Sequence, residues 1–149
     1  MVELRSLRDL VGLLPKGLAT PVPPSCPNLD APLCARLLQV RDSGCWLESG
    51  PAGGRRLLML DEHWALQGSS ASWELALAGT TYKYAPRQGE SIFDLIGLIE
   101  SGWLREQPEG WPLLIYLGYE CGWQIEKRRR RGEPSPMADF IVLCPKMAL

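Results

Sequence analysis

Few side chains in this sequence combine the type and spacing that chemistry needs. The single histidine, His63, has an imidazole suited to general-base work near neutral pH. It stands in Asp61-Glu62-His63, which reads as a turn between strands, so a surface histidine is the preferred reading. Five cysteines (Cys26, Cys34, Cys45, Cys121 and Cys144) are scattered, with no Cys-x-x-Cys pair, and metal-site spacing is absent. A nucleophilic thiol needs a base beside it. No histidine is placed to serve, and free core thiols in a reducing compartment fit the odd count better. Gly50 to Gly54 lacks the Lys-Ser/Thr that a phosphate-cradling loop requires and reads as a hairpin turn. Glu48 and Glu120 each adjoin an apolar strand, where a carboxylate must find a donor. That donor is either a ligand amine or a backbone N–H in a turn, the second being preferred. The run Lys127-Arg128-Arg129-Arg130-Arg131 would suit phosphate contacts. A solvated helix end, where cations complement the helix dipole, is the preferred reading. A net charge of −1 gives the molecule no electrostatic case for nucleic acid or an anionic membrane surface. No catalytic constellation emerges.

The elements that carry these residues follow from periodicity and punctuation. A chain of 149 residues suffices for one domain with a core and is short for two. Hydrophobic content of 46% against 22% charged is the balance of a folded soluble protein. The first residues lack the apolar core of a signal peptide and no stretch approaches a membrane span, so a cytoplasmic protein is expected. Ser6-Leu7-Arg8-Asp9 has capping-box spacing and predicts a short helix. Pro15 to Pro27 carries five prolines and reads as an extended linker, placing residues 1–29 outside the main domain at 30–149. Asp30 and Pro32 open a second helix with Leu33, Leu37, Leu38 and Val40 on one side.

Short strands then follow at Cys45–Glu48, Arg56–Leu60 and Trp64–Gln67. Trp73, Leu75 and Leu77 alternate with polar or small residues, the two-residue period of a half-buried strand. A hairpin about Gly79 joins it to Thr80–Tyr84. Ser91-Ile92-Phe93-Asp94 caps a helix with Ile92, Leu95, Ile96 and Ile99 on its apolar side, ending at Gly102. Leu113 to Leu117 is a continuous apolar run, which predicts a strand buried on both faces. Gly118 then turns it sharply into a helix in which Trp123 and Lys127 share one side. Asp139 to Leu143 is the last strand. An antiparallel order with helices inserted argues α+β.

The order of motifs resembles a known family. Trp46-Leu47-Glu48-Ser49 followed by Gly53-Gly54-Arg55 is similar to the Leu-Leu-Glu-Ser segment and turn in component I of anthranilate synthase and aminodeoxychorismate (para-aminobenzoate) synthase. Tyr116-Leu117-Gly118-Tyr119-Glu120 with Ile125-Glu126 resembles that family's Gly-Tyr-Leu-Gly-Tyr-Asp block and the helix after it. Ala138-Asp139-Phe140 falls where the family has a Pro-Asp pair, and Leu60-Asp61 near its Asp-Pro. The resemblance spans roughly Asp30 to Pro145.

It implies antiparallel sheet with helices packed outside, one part of the two-sheet sandwich of chorismate-utilising enzymes. It implies the non-catalytic N-terminal part of a synthase, lacking the chorismate-binding domain, with the aminodeoxychorismate branch of folate biosynthesis preferred over the anthranilate branch of tryptophan biosynthesis. The partners implied are that catalytic domain and a glutamine amidotransferase subunit. Mg²⁺ belongs to the catalytic domain, so no cofactor is expected on this chain and no chorismate turnover by it alone. By motif match Leu47, Glu48 and Ser49 would line a vestigial tryptophan pocket, with an apolar floor for the indole and a carboxylate and hydroxyl for the ammonium. Trp46 replaces a leucine of that motif, and Arg56-Leu57-Leu58 replaces an Arg-Tyr-Ser, so tryptophan binding is expected to be weak or absent. The alternatives are a stand-alone amino-acid-binding module near Glu48 and a nucleic-acid accessory domain using Lys127 to Arg131.

Overall fold

The computed structural model describes residues 2–18, 31–40, 44–48, 56–108, 111–122 and 138–148. Within them the chain forms β1 (Val2–Glu3), α1 (Leu7–Gly12), α2 (Ala31–Gln39), β2 (Gly44–Glu48), β3 (Arg56–Gly68), β4 (Trp73–Leu77), β5 (Thr80–Tyr84), α3 (Ile92–Ser101), β6 (Leu114–Leu117) and β7 (Phe140–Ala148). Two 3₁₀ turns, Trp103–Glu106 and Tyr119–Cys121, follow α3 and β6. The two predicted serine caps are present, and Asp30, expected to cap α2, lies outside the described residues. Ser6 Oγ accepts the Asp9 N–H at 3.1 Å, satisfying one of the orphan donors at the start of α1. Ser91 and Asp94 cap α3 reciprocally, Asp94 N–H donating to Ser91 Oγ at 3.3 Å and Ser91 N–H to Asp94 Oδ2 at 2.8 Å. Ala78 and Gly79 both take positive φ (48° and 76°), the backbone that a two-residue hairpin turn demands.

The strands make one seven-stranded sheet in the order β1-β5-β4-β3-β7-β6, with β2 also on β3. Only β1 with β5 is parallel. The fold is therefore α+β with a mostly antiparallel sheet. β3 is its spine: on one side β2 pairs up to Leu60 and β4 from Trp64 onward, while β7 lies along the other. Asp61-Glu62-His63 is thus not a turn between strands. It lies inside one 13-residue strand, which bends there. Asp61 has φ 52°, and the β7 register slips between Glu62 and Trp64, which makes His63 the extra residue of a β-bulge.

That slip has a consequence for the layers. Residues opposite one another across an antiparallel ladder share a face. Trp64 opposes Cys144 and Leu66 opposes Val142, and all four join α1, α3 and Trp103 in the main core. Leu60 opposes Met147 and Glu62 opposes Pro145, one step out of phase in β7. One inserted residue has therefore moved Leu58 and Leu60 to the other face of the sheet. There they pack with Cys34, Leu37 and Leu38 of α2 in a separate small cluster. Helices α1 and α3 cover one face, and α2 covers one end of the opposite face.

One expectation for the segment around Gly118 is corrected. The apolar run before it is not buried on both faces. Among the described residues β6 pairs with β7 alone, at the end of the sheet, and Ile115, Tyr116 and Leu117 are 38%, 42% and 40% exposed. The segment after Gly118 opens as a 3₁₀ turn, Tyr119–Cys121, and Gly122 is already helical, while the rest of the helix expected there lies outside the described residues. Trp123 and the Lys127–Arg131 run lie outside the described residues.

Where β5 meets α3, the buried Tyr84 hydroxyl donates to Glu90 Oε2, which also accepts the Arg87 N–H at 2.7 Å. Burial, then this bond, pushes the phenol from its ordinary 10.0 up to about 12. The Tyr84 bond holds the Glu90 carboxyl below its usual range. The signs follow by linkage. The tyrosine contribution is complete below 10.0 and is lost as pH rises through about 12. The glutamate contribution is present above the ordinary carboxylate range and fades as pH falls through the lowered value. Urea unfolding at stepped pH is expected to show stability falling at both extremes, and Tyr84→Phe should flatten the alkaline fall. An unchanged alkaline slope in that variant would refute the assignment.

Candidate functional site

The segment expected to line a tryptophan pocket forms the end of β2. Leu47 pairs with Leu57 and is 42% exposed. Glu48 is the last residue of the strand, opposite Arg56, and its side chain, like that of Trp46, lies outside the described residues. Ser49 lies outside them as well.

The two later motif segments, distant in sequence, are brought into contact. Gly118 N–H donates to the Asp139 carbonyl at 2.7 Å, and Cys121 Sγ donates to the same oxygen at 3.1 Å. Asp139 in turn donates its N–H to Gly68 O at 2.8 Å and accepts the Ser70 N–H on Oδ2 at 3.1 Å. The aspartate is only 4% exposed, so these bonds are what make its burial tolerable. The junction fastens the start of β7 to the end of β6 and to the β3–β4 turn. Gly118 has φ −66°, so its glycine is required for proximity and not for an unusual backbone angle. A Cβ there would sit 2.8 Å from the Asp139 carbonyl oxygen.

Beside this junction lies the part of the sheet face opposite α1 and α3 that α2, packed on Leu58 and Leu60, does not cover. Leu114 opposes Leu143 and Tyr116 opposes Ile141 across β6–β7. Ala65 opposes Leu143 on the other side, and Ala76 opposes Ala65. All are out of phase with the buried Phe140, Val142 and Cys144, so they point away from α1 and α3. Tyr116 and Met147, on this face, are 42% and 36% exposed, and Leu114, Ile141 and Leu143 are half-buried. Toward β4 and β5 the same face turns polar, ending in the Glu74–Lys83 ion pair at 2.7 Å. The signal for this surface was present in the apolar runs at Leu113–Leu117 and Phe140–Leu143. The first of these runs reads as a strand buried on both faces, because periodicity does not distinguish a covered face from one that awaits a cover.

The thiols behave as packing groups. Cys34, Cys121 and Cys144 are buried, and Cys45 is half-buried. Burial pushes the thiols of Cys45 and Cys121 up and that of Cys144 to about 11, away from the thiolate that nucleophilic chemistry uses. Among the described residues no three His, Cys, Asp or Glu side chains gather to hold a metal ion, and no helix is long and apolar enough to cross a membrane. No protein-family model matches the chain, and neither a curated protein nor a solved structure matches it significantly.

Proposed function

We propose that this chain is the non-catalytic N-terminal part of component I of an aminodeoxychorismate synthase, a cytoplasmic enzyme of para-aminobenzoate and folate biosynthesis. In this reading it packs against a separate chorismate-binding domain that aminates chorismate with ammonia from a glutamine amidotransferase subunit. The observation that carries the proposal is the half-exposed apolar face formed by Leu114, Tyr116, Ile141 and Leu143 beside the edge strand β6. Contiguous apolar surface of this kind marks an interaction site, and an open edge strand needs a cover. A second sheet packed there would complete a two-layer body with helices outside, the architecture that the motif resemblance implies. The contact between the Gly118 and Asp139 segments gives those motifs a shared structural task at the rim of that face. Family resemblance places Mg²⁺ on the partner domain. The ligand sets of the described residues do not fit a metal, so no step is assigned to one here.

Co-expression with the chorismate-binding domain of an aminodeoxychorismate synthase is the test. The two polypeptides are expected to co-purify and to aminate chorismate, while this chain alone has no turnover. Tyr116→Lys and Leu143→Lys should each abolish co-purification, because an unpaired ammonium at a packed interface is costly. Failure of the parent chain to associate, or chorismate turnover by it unaided, would end the proposal.

A further inference from the structure

β3 is one strand that serves two cores. After the bulge, Trp64 and Leu66 belong to the main cluster, with Phe140, Val142, Cys144 and the buried leucines of α1 and α3. Before it, Leu58 and Leu60 pack on the other face with Cys34, Leu37 and Leu38 of α2. Among the described residues the two clusters share no member, and the smaller holds three buried residues against seventeen. Shared packing is what makes two parts of a fold open together, and the smaller cluster has less apolar burial to lose.

Both strands that run between the two cores are interrupted at the same level. In β3, Asp61 takes φ 52° and His63 is the bulged residue. In β7, the residue opposite Glu62 is Pro145, which has no N–H to give to the ladder. Glu62 with Pro145 is the one pair between Leu60 with Met147 and Trp64 with Cys144. β2 pairs with β3 only before this break and β4 only after it.

We propose that α2, β2, β3 up to Leu60 and β7 from Lys146 form a second cooperative unit, which unfolds locally while the main core stays folded. Its boundary is the Asp61–His63 bulge with Pro145 across from it. Leu114, Tyr116, Ile141 and Leu143, the docking face proposed above, lie wholly on the other unit, so the inference does not depend on that reading.

Each unit carries a free thiol with no exposed surface, Cys34 in the smaller and Cys144 in the larger. The intact chain is exposed to a thiol reagent across sub-denaturing urea, under conditions where reclosing outpaces labelling, and tandem mass spectrometry reads the label at each cysteine. Cys34 should label about tenfold faster than Cys144 or more, and with a weaker urea dependence, because local opening exposes less surface than global unfolding. The protected amides of β3 should divide in hydrogen exchange, those at 57–60 following Cys34 and those at 64–67 following Cys144. Ile99→Val trims a buried side chain of the main core by one methyl, a change mild enough to leave the chain folded. It should speed Cys144 labelling about two- to tenfold and leave Cys34 labelling unchanged, because Ile99 stays packed when only the smaller unit opens. Labelling of both thiols at one rate with one urea dependence would overturn the proposal. So would β3 amides that exchange as a single class, or an Ile99→Val variant that speeds both thiols equally.

Discussion

Trp64→Ala is expected to destabilise the protein by about 3–5 kcal/mol, the cost of emptying a large aromatic site in a packed core. Trp64 has no exposed surface and sits at the centre of the sheet–helix layer. Its ring meets Trp103 edge to face, with centroids 5.2 Å apart and planes at 83°, a favoured aromatic geometry. Trp103 in turn donates its indole N–H to Pro15 O at 2.7 Å, so the pair ties the end of α1's loop to the sheet. The Trp64 indole N–H has no partner among the described residues, a burial cost that the wild type carries. Trp64→Phe removes that orphan donor along with some volume, so its penalty should be well below that of the alanine. Urea unfolding of the three proteins measures both. A loss below about 1 kcal/mol for the alanine would show that the core is not built around this residue.

The second large effect concerns the glycines that flank Asp139. Gly68 O accepts the Asp139 N–H, and Gly118 N–H donates to the Asp139 carbonyl. A Cβ on Gly68 would lie 2.5 Å from Ser72 O and 2.8 Å from both Cα and Cδ1 of Trp73, two of the three being backbone atoms that cannot rotate away. A Cβ on Gly118 would meet one backbone oxygen, that of Asp139, at 2.8 Å. Overpacking costs about 1–3 kcal/mol and occasionally more. Gly68→Ala should reach or exceed the top of that range, because Gly68 is laddered to both Trp73 and Phe140 and neither strand can retreat alone. Gly118→Ala should fall lower, since β6 is an edge strand that can shift. Thermal or urea unfolding orders the two. Equal stabilities, or a costlier Gly118→Ala, would contradict the packing described at the junction.

Much of the local structure was legible in the sequence because it depends on near neighbours. The Ser6 and Ser91 caps, the helical spacing of Ile92, Leu95 and Ile99, the alternation of Trp73, Leu75 and Leu77 and the Gly79 hairpin all appear where expected. The α+β class followed from their order. The resemblance singled out Gly118 and Asp139, which do meet, but for a reason that spacing does not contain: the glycine clears a carbonyl that arrives from the next strand.

What the sequence by itself determined, then, is which segments are helix or strand and where they stop, because capping and periodicity act over a few residues. Tertiary structure alone decided which face and which edge each strand presents. Leu113–Leu117 reads as a central strand and lies at the border, since its neighbour on one side is β7 and the other side is open among the described residues. His63 reads as a surface turn and is the extra residue of a bulge, which moves Leu58 and Leu60 across the sheet. Register belongs to two strands at once, and β3 and β7 find theirs only when distant parts of the chain have packed; a single inserted residue then inverts every side chain beyond it.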